Sequence, residues 1–211
     1  MRLYCISGPQ GCGKSSTLNS ISKIMGDKYL IDPTKFSRKV QADMNVENLK
    51  EAVTTDFNVM MDFQTRIYDA IIDHIELLVN QFEGSDKVVI MERSFADLAA
   101  YVTIWAGKFN SVEPLTDTQW KQVSTYIQRC KQAQNFLIDH NFYLPFMEHM
   151  VFEYDPNRGF EEDIVVFDAL IRGYLQSSYD QRIVNRNCIS EVQGITPDDR
   201  AYFIIHKIKS L

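Results

Sequence analysis

Long apolar runs are missing from this chain. No stretch approaches the roughly 20 residues needed to span a bilayer, so no membrane-spanning helix is expected. Cysteine is scarce. Cys5, Cys12, Cys130 and Cys188 are the only four, and no pair has metal-ligand spacing or belongs to a secreted disulfide framework. Excess positive charge is lacking as well. The net charge is −6, whereas a protein that lives on a nucleic-acid backbone carries a basic face. Stable nucleic-acid binding is therefore not expected, although a local basic groove and DNA as a substrate stay open. No repeat, low-complexity tract or Pro-, Gly- or Ser-rich linker interrupts the 211 residues, so one domain over 1–211 is the expectation. Met1 leads straight into apolar residues with no signal peptide ahead of them, which makes a reducing cytoplasm the expected compartment.

What is present begins at once. Leu3 to Ile6 is a short apolar run that reads as a buried strand. Gly8, Gly11, Gly13, Lys14, Ser15 and Ser16 follow, and the stretch fits G-x-x-x-x-G-K-[ST]. Leu18, Ile21, Ile24 and Met25 then recur at helical spacing. Strand, glycine-bearing loop and helix thus come in the order that a polyphosphate cradle needs. Glycines let the backbone approach phosphates, backbone N–H groups and the helix start face negative charge, Lys14 adds a point charge, and Ser15 offers a hydroxyl to Mg²⁺. Cys12 inside the loop reads as a small residue that fits there.

Four further places carry chemistry. Tyr29 to Ile31 predicts a second strand, ending at Asp32-Pro33 because proline cannot continue a central ladder. Asp32 is either a carboxylate that accepts a hydroxyl proton or the start of an Asp-Pro turn. A long helix is predicted over 56–82, with Gln64 on it either reading a base edge or facing solvent. Val88 to Met91 predicts a third strand that delivers Glu92 and Arg93 at its carboxyl end, Glu92 toward Mg²⁺ and Arg93 toward a substrate, with Tyr101 on the helix beyond. A helix over 116–140, a strand over 142–146, a polar lid at about 150–160 bearing Arg158, a strand over 187–192 and a helix over 197–209 complete the pattern. Arg172, Arg182 and Arg186 are weaker candidates than Arg158 for reaching phosphate.

The loop from Gly8 to Ser16, the Asp32-Pro33 step, Phe63-Gln64 and Glu92-Arg93-Ser94 together resemble the deoxynucleoside kinases. The segment MERSFADLAAYV is also similar to the corresponding pattern of nicotinamide-riboside-kinase-like domains, including many small phage proteins, and thymidylate kinases share the architecture. The resemblance implies a three-layer α/β P-loop fold with a five-stranded parallel sheet, and ATP- and Mg²⁺-dependent transfer to a deoxynucleoside or nucleoside monophosphate. It implies Asp32 as general base, Gln64 as base reader, and Lys14, Glu92, Arg93 and Arg158 as the catalytic set. Tyr101 is expected beside the acceptor. The chain departs from the pattern in having Asp32 where the family usually has Glu, Glu92 where several relatives have Asp, and no dense arginine cluster in the lid. Two other functions remain open: a kinase acting on a hydroxymethylated base or terminus within DNA, and a P-loop ATPase or switch. Against the latter, no Asn-Lys-x-Asp segment and no Asp-Glu pair after the third strand are present. A homodimer stays open as an assembly.

Overall fold

The apolar runs become strands, and their register decides which polar residues meet at their ends. The computed structural model describes residues 1–44, 49–146, 164–178 and 188–211. Its strands are β1 (Arg2–Ser7), β2 (Tyr29–Asp32), β3 (Val88–Glu92), β4 (His140–Tyr143) and β5 (Ile189–Glu191). They form one parallel sheet in the order β2-β3-β1-β4-β5. Parallel sheets are covered on both faces, which is why these strands read as continuous apolar runs.

Among the described residues eight α-helices provide the cover: α1 (Lys14–Met25), α2 (Phe36–Met44), α3 (Leu49–Thr55), α4 (Phe57–Gln81), α5 (Phe95–Val112), α6 (Asp117–Leu137), α7 (Ile164–Ser178) and α8 (Pro197–Ser210). Side chains alternate along β1. Leu3 and Cys5 join a large core with residues of α2 to α7, while Tyr4 and Ile6 join a smaller one with α1 and α8. Helix starts are fixed locally. Asp56 accepts from Asn58 N and Val59 N at the start of α4. Ser94 with Asp97, Thr116 with Gln119 and Thr196 with Asp199 form capping boxes for α5, α6 and α8. The three layers and five parallel strands agree with the expected fold class. No helix among the described residues is long and apolar enough to cross a membrane.

Register brings the site together. Ile6 of β1 lies opposite Glu92 of β3, and Asp32 of β2 lies opposite Met91. Strand order reverses around β1, and in such sheets ligands bind outside the carboxyl ends at that reversal.

Two departures from the sequence reading have a physical reason. The expected helix through His140 ends at Leu137, and the expected strand over 142–146 instead runs His140–Tyr143. His140 and Asn141 are polar and so disguise a strand, yet they are 1% and 0% exposed. Burial is tolerated because His140 Nε2 meets Ser190 Oγ at 2.9 Å and Asn141 Oδ1 lies 3.2 Å from Ser7 Oγ. The second departure is α2 and α3, which lie between Pro33 and Asp56 where no element was expected. The lid at about 150–160 with Arg158, and also Arg182 and Arg186, lie outside the described residues.

His140 gives a pH test of this packing. Burial, helped by the charge of Lys207, lowers it from 6.5 to about 4. Between those values the unfolded chain takes up a proton that the folded chain refuses, so stability falls as pH drops from about 6.5 to about 4. The loss is bounded at about 3 kcal/mol. Urea unfolding at pH 7 and pH 4.5 should show a smaller acid loss for His140→Gln than for the wild type.

Candidate active site

The cradle is shaped by backbone geometry that side chains would block. Gly8 has φ 151, and a Cβ there would sit 2.3 Å from Leu144 O and 2.8 Å from Cys12 Sγ. Gly13 has φ 88 and backs onto Arg200, whose guanidinium would be 2.7 Å from a Cβ. Gly13 is also the N-cap of α1, with no side-chain cap and no acidic residue in the first turn. The first amides of α1 are therefore not taken by a side chain of their own helix, as an anion cradle requires. Cys12 is fully buried, and burial pushes its thiol up, which fits a packing residue and not a reactive one.

Lys14 is buried and donates through Nζ to Gly8 O at 2.7 Å and Pro9 O at 2.6 Å. Ser15 Oγ donates to Glu92 Oε2 at 2.8 Å. Lys35 Nζ approaches the same two groups, 3.3 Å from Glu92 Oε2 and 3.4 Å from Ser15 Oγ. Burial opposes the charge of Glu92. The Ser15 hydrogen bond and the charges of Lys14, Arg93 and Lys35 outweigh it and hold the carboxyl below its ordinary range. A hydroxyl and an ionised carboxylate this close are the hard oxygen donors that Mg²⁺ takes when phosphates and water supply the rest. Ser16 lies exposed on the same first turn. No group of three or more His, Cys, Asp or Glu residues among the described residues could hold a metal ion by itself.

Arg93 turns the chain. It is the one residue other than glycine with positive φ among the described residues, at φ 75. Its N–H still donates to Ile6 O at 2.8 Å, continuing the ladder before the turn. Its guanidinium donates to Tyr101 Oη at 3.0 Å, lies 5.1 Å from the centre of that ring, and stands 3.9 Å from Asp97 Oδ1. Tyr101 packs on Phe167 and Trp105, and Trp105 on Phe63. Gln64, the neighbour of Phe63, is buried. Tyr126 Oη donates to its backbone oxygen at 3.0 Å and approaches Oε1 at 3.4 Å. Gln64 thus does not face open solvent. Arg172 leans over the Tyr143 ring and pairs with Glu191 at 3.5 Å, at the β4–β5 edge.

Asp32 is 6% exposed and has two partners. Oδ1 accepts from Thr34 N at 2.9 Å and Thr34 Oγ1 at 2.6 Å, while Oδ2 meets His74 Nε2 at 2.7 Å. The turn reading and an oriented carboxylate therefore coexist in one residue.

Sequence reasoning missed four residues here. Asp97 is fully buried. Its Oδ2 accepts from Ser94 N at 2.9 Å and Ser94 Oγ at 3.2 Å, and its Oδ1 faces Gly8 N at 3.4 Å. The Ser94-x-x-Asp97 spacing is a capping-box signal that could have found it. Arg200, 4% exposed, donates to Cys12 O at 2.9 Å and Gly194 O at 3.0 Å, bracing the loop from behind. His74 and Lys35 carry no sequence signal, because only the fold brings them to Asp32 and Glu92.

Comparison with known proteins gives the fold a context. No protein-family model matches the chain, and no curated protein matches it in sequence. Solved structures do match. NadR in complex with NR has a TM-score of 0.68 at 12% identity, covering 100% of this chain and 52% of that one. Deoxyadenosine kinase from M. mycoides with bound dATP has a TM-score of 0.59 at 14% identity, covering 98% and 99%. Thymidylate kinase from Candida albicans has a TM-score of 0.56 at 17% identity, covering 99% and 91%. The chain thus spans about half of NadR and nearly all of the deoxyadenosine kinase. It has the fold of the P-loop nucleoside and nucleotide kinases.

The strained turn yields a stability test. A left-handed residue other than glycine costs about 1–2 kcal/mol. Arg93→Gly and Arg93→Ala both remove the guanidinium, so chemical denaturation should find the Gly variant more stable than the Ala variant by about 1 kcal/mol.

Proposed function

We propose that the chain is an ATP- and Mg²⁺-dependent kinase that transfers a phosphoryl group to a deoxynucleoside or a nucleoside monophosphate. The observation that carries the reading is the hydrogen bond of Ser15 to Glu92 at the carboxyl edge of a parallel sheet, where the register also brings the ends of β2 and β3, and with them Asp32 and Arg93. The fold shared with a deoxyadenosine kinase, a thymidylate kinase and the NR-binding NadR supports it. In this reading the chain works as one kinase domain. The triphosphate lies along Gly8, Gly11, Gly13 and the first turn of α1 with Ser15 and Ser16.

Lys14 exchanges its two loop carbonyls for phosphate oxygens and stays close to the loop that presents it. Ser15 and Glu92 would hold Mg²⁺, which would supply charge neutralisation for the phosphate oxygens. Arg93, steadied by Tyr101, is assigned to the acceptor, and Gln64 is assigned to read its base. Arg158 is proposed to reach the transferred group from the lid. Electrostatic stabilisation of this kind supplies most of the acceleration in phosphoryl transfer. A polymeric acceptor is disfavoured by the net charge of −6, since backbone contacts need clustered Lys and Arg.

The test is a panel assay. Purified protein, ATP and Mg²⁺ are incubated with deoxynucleosides, ribonucleosides, their monophosphates and duplex DNA, and the labelled products are separated. Label in one class of small nucleotide is expected, with Lys14→Ala lowering kcat/KM by about 100-fold or more. Label in DNA would identify the polymer kinase. ATP hydrolysis indifferent to every acceptor would identify an ATPase and overturn the proposal.

A further inference from the structure

We propose that His74 is a positioning residue for Asp32, and that the acceptor is a nucleoside hydroxyl and not a phosphate. The inference rests on the kinase reading and deepens it. Its ground is the way the Asp32 carboxylate is held. An Asp-Pro turn needs one carboxylate oxygen, and Oδ1 fills that role by accepting both the N–H and the hydroxyl of Thr34. With two donors on it, Oδ1 is saturated.

The turn does not explain the other oxygen. Oδ2 is bound at 2.7 Å by His74, which comes from the C-terminal half of α4, 42 residues away in sequence. A carboxylate oxygen only accepts, so His74 Nε2 carries the hydrogen of this bond. The imidazole is itself fixed. It stands edge-on to Phe36, the first residue of α2, with ring centres 5.4 Å apart. The nearest cation along the chain, Lys35, is turned to Glu92 and Ser15. Among the described residues, His74 is thus the side chain beyond the turn itself that orients this carboxylate.

Among the described residues one lone pair of Oδ2 is left, and its direction is set by His74. A fixed, single-site acceptor for a proton suits an alcohol acceptor, where a base must meet one O–H, and a phosphate acceptor has no use for it. The step balances. The hydroxyl O–H bond breaks and its proton goes to Oδ2. The freed electron pair forms the new O–P bond, and the bond between the γ-phosphorus and the bridging oxygen breaks, leaving ADP with that electron pair.

The experiment compares four variants of the full chain: His74→Phe, His74→Gln, Asp32→Asn and Asp32→Asn/His74→Phe. Phe keeps the ring against Phe36 and loses the donor. Gln places an amide N–H where Nε2 lies. Each variant is checked for thermal unfolding and for binding of Mg²⁺ with a non-hydrolysable ATP analogue, and is then assayed with the nucleoside that the wild type phosphorylates best. His74→Phe should lose about 10- to 100-fold in kcat, the range expected for a misplaced catalytic group, with KM for ATP unchanged. His74→Gln should recover most of it. The double variant should be no slower than Asp32→Asn, because His74 acts only through that carboxylate.

The imidazole nitrogen signals add a readout free of activity. His74 should show the Nε2–H tautomer in the wild type and lose that preference in Asp32→Asn. Full kcat in a folded His74→Phe, or losses that multiply in the double variant, would overturn the inference and leave the kinase reading intact. A wild type that phosphorylates monophosphates and no nucleoside would overturn it likewise. A wild type that transfers phosphate to nothing overturns both.

Discussion

The buried carboxylate of Asp97 is the constraint on which the site depends. It has no exposure, and its two oxygens face different elements. Oδ2 closes the capping box of α5 through Ser94, and Oδ1 faces the amide of Gly8 and the guanidinium of Arg93. A buried charge without partners is far costlier than any surface pair, so the fold holds these partners in place together. Beneath it, Ser7 Oγ donates to Ser94 Oγ at 2.7 Å and contacts Asn141, carrying the same polar seam across the ends of β1, β3 and β4. The phosphate loop leaves β1 and the arginine turn leaves β3, so one carboxylate keeps the two loops in a common frame.

That frame is braced from both sides. Arg200 on α8 grips Cys12 and Gly194 behind the loop, and Gly13 is bare because that guanidinium lies against it. In front, Lys35 spans toward Ser15 and Glu92 from the segment just after Asp32. The edge strand β2 is therefore tied to the centre of the site by side chains as well as by its ladder with β3. The positive φ of Arg93 belongs to the same economy of space. It aims the arginine along α5 to Tyr101 while its own N–H still serves the β1–β3 ladder.

Much of this was legible in the sequence because local chemistry and global position agree there. A continuous apolar run followed by glycines and a helical period specifies strand, cradle and helix without tertiary information. The third strand ending in Glu92-Arg93 was readable for the same reason. Legibility failed where a buried polar residue is satisfied by a distant partner. His140 looks like the tail of a helix, and Asn141 like a break before the strand, until Ser190 and Ser7 are seen beside them. His74 looks like one polar position on a long helix until β2 brings Asp32 to it. Gln64 could be placed on its helix, but only Tyr126 decides that it is buried. Short helices such as α2 and α3 escape notice because their apolar faces are too brief to establish a period.

The central claim is that donor and acceptor halves form one continuous site at the carboxyl edge of the sheet. Calorimetry with compounds that join adenosine to a second nucleoside through a polyphosphate bridge tests it most directly. Such a ligand fills both halves at once and gains the effective concentration of a tethered pair. The account predicts that, with Mg²⁺ present, at least one member of a series differing in the second nucleoside binds about 10-fold or more tightly than ATP. Affinities no greater than that of ATP for every member of the series would contradict it.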